Sequence, residues 1–310
     1  MLNWKVGSLQ ITPSPTRTPV LHSLLTLVFL LATVSCAVKR TTRVAPSVAP
    51  PPAREASPAD LVARVNAQSN AIQTLVATVD MEPTAGSVYS GVIKEYRDVR
   101  GFVLLEKPAM IRIVGQAPIV RTTIFDMVSD GREFRLSIPP KQKFLVGKND
   151  LRRVAKNSLE NLRPQHILEA LLVPAIDTGS EKYFIEEAAE GARRYYVVTL
   201  LELREGGELA LKRKVWIDRS DLNVARLQLY GPQGAYLEDV LYSGYQDFQG
   251  VNYPTRIEIA RPAEDYRLAL TIEKATFNQP LAPDKFVLNK PEGAELVEVG
   301  GDAKGDSHGQ

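Results

Sequence analysis

Beyond Thr74 the chain alternates between apolar and polar positions. Ile257 and Ile259 point one way and Arg256 and Glu258 the other; Leu268, Leu270 and Ile272 share a face opposed to Arg267, Thr271 and Glu273. A period of two marks strands with one buried and one wet face. Such segments recur as "VYSGVIKEY", "RGFVLLEK" and "MIRIVG", with the first strand opening at Thr74–Met81. "TTIFDMVSDGREFRLSIPPKQKFLVG" then predicts a hairpin on Asp130-Gly131 and a second turn on Pro139-Pro140. Later come "KYFIEEA", "RRYYVVTLLELR", "ELALKRKVWID", "NVARLQLYG", "AYLEDVLYSGY", "YPTRIEIA" and "DYRLALTIEKATF", divided by polar, Gly-rich turns. Roughly a dozen strands at regular spacing predict an antiparallel sheet joined by hairpins.

Two segments keep a helical period instead. "SPADLVARVNAQSNAIQ" offers Ser57 as N-cap, Pro58 at the first helical position and Asp60 where an anion favours the helix dipole. Leu61, Val65, Ile72 and Leu75 recur on its apolar side, and Arg64, Asn66, Gln68 and Asn70 are expected to face outward. The second helix starts at Pro164 and presents Ile167, Leu168, Leu171 and Leu172. The expected fold is therefore mainly β with a few helices: a curved antiparallel sheet forming an incomplete, half-open barrel closed by helices.

The ends of the chain follow another pattern. Residues 1–22 hold Lys5 and Arg17 and no acidic residue, and Leu24–Val34 is an apolar run of secretory length, well short of the ~20 residues that span a bilayer. Thr33-Val34-Ser35-Cys36 resembles a bacterial lipobox, although Thr33 stands where Leu is usual. Cys36 is the one cysteine in 310 residues. A thiolate is the side chain suited to a thioether-linked diacylglycerol, so acylation of Cys36, palmitate included, is expected in place of any other cofactor. Four units follow: a signal peptide at 1–35, a Pro/Ala-rich basic linker at 36–56 that is not expected to pack, a folded domain at 57–296, and a disordered tail at 297–310.

Charge narrows the partners. The chain carries 38 basic and 36 acidic residues, and removal of the leader leaves 36 of each. Such a balance gives no footprint for nucleic acid.

The chemistry of catalysis is sparse. His22 and His308 lie outside the expected domain, so a Ser-His-Asp site would rest wholly on His166, which is expected on a helix surface. A Gly-x-Ser-x-Gly elbow, a Gly-rich phosphate loop and the histidines and cysteines of a zinc site are missing from the sequence. Glu186-Glu187 and Glu238-Asp239 are adjacent strand residues, which face opposite sides and make no carboxylate dyad. Tyr195, Tyr196, Tyr236, Tyr242 and Tyr245 could line a sugar-binding surface, but strands favour tyrosine in any case. No catalytic residue, no metal site and no enzymatic activity are expected.

Three motifs carry a resemblance: Lys107-Pro108 leading to Ile111-Arg112-Ile113, Ser129-Asp130-Gly131 at a hairpin, and "NQPLAPDKFVLNKPEG" after the last long strand. Together with the order of elements they resemble the LolA/LolB-like superfamily of lipoprotein carriers and their relatives. That resemblance implies a half-barrel with a helical lid and an apolar cavity for acyl chains. Ile257, Ile259, Leu268, Leu270 and Ile272 of the sheet and Ile167 and Leu171 of the second helix would line it. The implied function is to bind or hand over a lipid or the acyl chains of a lipoprotein. The alternative is a sensor or scaffold that binds a partner polypeptide of the envelope and carries no lipid. Either protein would be anchored by its lipid, facing the periplasm, and Ala37 in place of Asp points to the outer membrane.

Overall fold

The computed structural model describes residues 52–85, 99–149 and 164–299, with the backbone of 94–95. Helix α1 (Pro58–Asn70) leads into β1 (Thr74–Ala85), β2 (Lys94–Glu95), β3 (Val99–Glu106), β4 (Met110–Gln116), β5 (Thr123–Ser129), β6 (Glu133–Ile138) and β7 (Lys143–Lys148). Helix α2 (Pro164–Leu171) precedes β8 (Glu181–Glu190), β9 (Arg193–Leu203), β10 (Leu209–Asp218), β11 (Val224–Tyr230), β12 (Tyr236–Phe248), β13 (Val251–Arg261) and β14 (Tyr266–Phe277). A short β15 (Glu295–Val299) follows.

These strands make one sheet in the order β15-β7-β6-β5-β4-β3-β1-β14-β13-β12-β11-β10-β9-β8, with β2 beside β1. It is two antiparallel meanders, β1–β7 and β8–β14, joined where β1 pairs with β14. β15 is the exception, running parallel to β7. The sheet ends at β15 and β8 and does not close.

It is nevertheless strongly curved. Helix α2 packs on β4, β5 and β13 together, and β13 lies four places from β4 in the strand order. At ~4.8 Å per strand a flat sheet would separate them by about 19 Å, wider than a helix of ~10–12 Å. The sheet must curl round α2. Gly101 and Gly115, register partners on β3 and β4, assist by leaving room on the inner face. A Cβ on Gly101 would meet Met81 and Val79, and one on Gly115 would run into the Phe125 ring.

The first helix begins as the sequence predicts. Ser57 Oγ accepts the Asp60 N–H at 3.2 Å, and the Asp60 carboxylate accepts the Ser57 N–H at 3.2 Å. The Ser57 hydroxyl also donates to the Asp60 carboxylate at 2.7 Å, and this bond, with that from the Ser57 N–H, holds Asp60 below the usual carboxylate range. The buried stripe is wider than expected, taking in Val62 and Ser69 beside Leu61 and Val65. Asn66 and Gln68 are half-buried. Asn66 Nδ2 donates to Ile176 O at 3.0 Å and its Oδ1 accepts the Ile176 N–H at 2.6 Å, tying α1 to the loop before β8. Gln68 Nε2 donates to Tyr245 Oη at 3.4 Å.

Both ends of the domain extend past their expected limits. Residues 54–56 are docked, not free: the Arg54 N–H donates to Arg219 O at 2.7 Å, and Arg219 reaches Glu55 at 2.7 Å and stacks on Tyr196 at 4.6 Å. A buried guanidinium needs acceptors, and this segment supplies two of them, the Glu55 carboxylate and Arg54 O, which accepts from Arg219 Nε at 3.3 Å. At the other end β15 runs on to Val299, because the free edge of β7 offers it backbone partners.

Candidate functional site

The concave face is where the resemblance implies a binding site. Ile257, Ile259, Leu268, Leu270 and Ile272, together with Ile167 and Leu171, are all buried there in one continuous cluster. Register explains the convergence: Ile257 faces Leu270, Ile259 faces Leu268, and Ile272 faces Val79 of β1. Leu61 and Val65 of α1, and Ile111, Ile113, Phe125 and Met127 of the other meander, complete the cluster. Side chains from both meanders and both helices thus pack together with the seven residues. Cys36 lies outside the described residues.

Helix α2 rests on this core through its carbonyl end. Tyr242 Oη donates to Ala170 O at 2.8 Å, and Tyr253 Oη donates to Leu171 O at 2.9 Å. These are last-turn carbonyls with no partner inside the helix. Burial holds both phenols protonated well above the ordinary tyrosine range, so they remain donors.

Beside α2 lies a buried polar cluster. Glu238 of β12 has no exposed side-chain surface, and its Oε2 accepts from Arg261 of β13 at 2.7 Å. Arg261 is shared, since its Nη2 also donates to Glu264 at 2.8 Å. His166 Nδ1 is 4.0 Å from Glu238 Oε2, so this histidine faces the cluster and not only solvent. Burial pushes Glu238 up to about 7, against the pull of Arg261, and the Glu169 and Glu264 charges add to the rise. Burial likewise raises Glu169.

Two of the clefts among the described residues lie beside the core. One of about 220 Å³ runs between α1 and the segments 222–224 and 250–252, with Val65, Ile217 and Val251 in its wall. It is smaller than the ~300–1,000 Å³ of ordinary ligand pockets. The other, about 300 Å³, is lined by Arg193, Arg219, Asp218, Asp221 and Tyr245 and carries charges of both signs.

Among the described residues, the two most exposed large apolar side chains lie together on one turn. The β4–β5 turn is closed by Ala117 N–H to Thr122 O at 2.9 Å and Arg121 N–H to Ala117 O at 3.0 Å. It raises Ile119, 92% exposed, and Val120, 69% exposed, into water.

Solved structures with a similar fold include a DUF1329 family protein from Desulfovibrio piger, at a TM-score of 0.51 and 14% identity over 74% of this chain and 95% of that one. A LolA superfamily protein from Nitrosomonas europaea aligns at 0.46 and 15% identity, over 73% of this chain and 97% of that one. The domain of a putative outer membrane lipoprotein-sorting protein from Vibrio parahaemolyticus aligns at 0.45 and 11%, over 73% and 94%. The likeness is one of fold. No protein-family model matches the chain, and no curated protein does.

The motifs that carried the resemblance prove to be joints of this half-barrel. Lys107 Nζ donates to Ser69 O at the end of α1, and Asn278 Nδ2 donates to Ala71 O at 2.8 Å. Ser129 Oγ accepts from Gly131 N–H at 3.0 Å and from Asn149 Nδ2 at 2.8 Å. The acidic pairs split as strand geometry requires: Glu186 turns to Lys214 and Glu187 to Arg219, Glu238 to Arg261 and Asp239 to Arg226. The tyrosines do not all share a surface: Trp216 and Gln228 link Tyr195 to Tyr236 on one face, and Tyr242 lies on the other. Tyr195 packs edge-on to Trp216 at 5.6 Å, Tyr236 lies 5.5 Å from Tyr230, and Tyr242 is under α2. Sequence reading missed the Ile119-Val120 turn. The signal was present, two large apolar residues between Pro118 and Arg121, but a turn that short shows no period.

Proposed function

We propose that this protein is an envelope lipoprotein, anchored through Cys36 at the outer membrane, that binds or hands over a lipid or the acyl chains of a lipoprotein. The observation that carries the reading is the Ile119-Val120 turn. Two large apolar side chains held in water on a hydrogen-bonded turn forfeit burial worth about 1.5–3 kcal/mol each, which contact with a lipid surface would recover. The apolar core under α2 supports the same reading, since acyl chains are held by burial and need no polar site. Entry to that core would require α2 to lift from Tyr242 and Tyr253.

The test is sedimentation of the full chain, in a Cys36→Ser form, with vesicles of bacterial phospholipid. Ile119→Asp combined with Val120→Asp is expected to weaken binding at least about tenfold, the loss of roughly 1.4 kcal/mol. Equal binding by both proteins would remove the basis of the proposal. Native mass spectra before and after solvent extraction address the cargo: a lipid-sized mass lost on extraction is expected.

A second reading is that the protein binds a partner polypeptide and carries no lipid, the buried side chains of the concave face serving only as its core. It predicts an apo mass and no uptake of added lipid.

A further inference from the structure

The two ends of the sheet are unlike. β15 has five residues, runs parallel to its neighbour, and carries Glu295 and Glu298. So short an edge offers few backbone partners to another chain. β8 has ten residues, EKYFIEEAAE, with neither proline nor glycine. Its register with β9 is unbroken from Glu181–Glu202 to Glu190–Arg193, so no bulge twists the edge away. Among the described residues, no strand pairs with its outer side. Phe184, half exposed, stands in the middle of the outward face of this strand.

From this edge we infer that β8 pairs with β8 of a second copy, antiparallel about a two-fold axis at Phe184, so that the two sheets run on as one. The register follows from the sequence of the strand. Antiparallel partners must share a face, which leaves only registers that place a residue opposite itself. Centred on Phe184, the outer face puts Lys182 opposite Glu186 twice and Phe184 opposite Phe184. On the inner face Tyr183 meets Ile185. A centre on Tyr183 sets Lys182 against Phe184. One on Ile185 sets Phe184 against Glu186, and one on Glu186 faces that carboxylate with itself. The Phe184 register alone joins opposite charges and an aromatic pair on one face, and such pairs are what stabilise strand association.

Glu181 would face Glu187 in this arrangement, but both are already neutralised. Arg213 holds Glu181 at 2.6 and 2.8 Å, Lys212 reaches it at 2.7 Å, and Arg219 binds Glu187. Like charge is therefore not left opposed.

Thiol cross-linking in the full chain tests the register, with Cys36→Ser in every variant so that the introduced thiol is alone. Phe184→Cys places two sulfurs across the axis, where partner Cα atoms lie within about 4.5–5.5 Å and a disulfide can form. Ala188→Cys, on the same face, would be about 27 Å from its counterpart and serves as the control. Mild oxidation is expected to give a dimer, doubled in mass on a non-reducing gel, from Phe184→Cys and not from Ala188→Cys. Adding Lys182→Glu or Glu186→Lys alone should abolish the dimer, and adding both should restore it, because the swap rebuilds the opposite charges. Circular dichroism of each variant shows that the fold is retained. Equal cross-linking at 184 and 188, indifference to the single reversals, or failure of the double swap to restore the dimer would each overturn the proposal.

Discussion

Tyr253 shows how a single residue can serve both packing and position. Its ring is buried against Phe277, with centroids 5.1 Å apart, while its hydroxyl ends α2 at Leu171 O. Tyr253→Phe keeps the ring and leaves a buried carbonyl without a partner. The expected cost is about 1–3 kcal/mol, read as a lower urea midpoint with an unchanged slope. Tyr253→Leu also opens a cavity and should cost more. Glu238 acts through its proton. Its carboxyl binds a proton at about 7 in the fold, against 4.5 for an ordinary glutamate. Between those values the folded protein holds more protons than the unfolded chain, so this group stabilises fully below pH 4.5. That stability is lost as pH rises through 7. The contribution is up to about 3 kcal/mol. Denaturation midpoints are expected to fall from pH 5 to pH 8, and Glu238→Gln should flatten the fall. An unchanged pH dependence in that variant would assign the proton to another group.

Among the elements, α1 is the one most fully written in local sequence. Ser57, Pro58 and Asp60 fix its start, and Lys107 and Asn278, far along the chain, hold its end. Ser57→Ala is expected to cost about 0.5–2 kcal/mol, visible as earlier hydrogen exchange in the first turn of α1 as well as a lower midpoint. The start was legible because a capping box is a pattern of neighbours. The rest of the helix was less so. Asn66 and Gln68 read as outward by period, yet the chain brings Ile176 and Tyr245 to them, and no local pattern announces a partner more than 100 residues away. The same limit hid the docking of Arg54 and Glu55. A Pro/Ala-rich basic stretch gives no sign of the buried Arg219 awaiting it. β15 was missed for a related reason: "ELVEV" is too short to show a period and becomes a strand because β7 has an edge to spare.

For the whole molecule, the alternation of apolar and polar residues was enough to give a mainly β fold, two helices and the inward face, since curvature and burial both follow from which side of each strand is apolar. Strand order was not in that pattern. Hairpins tell that neighbours in sequence pair, which yields each meander, but the β1–β14 junction joins residues about as far apart as the domain allows, Leu75 with Phe277. That junction sets a timetable. While the chain is being made, the first meander must wait with one side of β1 bare until β14 starts about 180 residues after β1 ends. Folding of the complete sheet is therefore a late event, slowed by the long loop that has to close. A chain stopped short of Tyr266 would keep that bare edge indefinitely and should be prone to aggregate. For a protein proposed to cross a membrane before it folds, slowness of this kind is an advantage: the chain stays threadable until its last long strand is through.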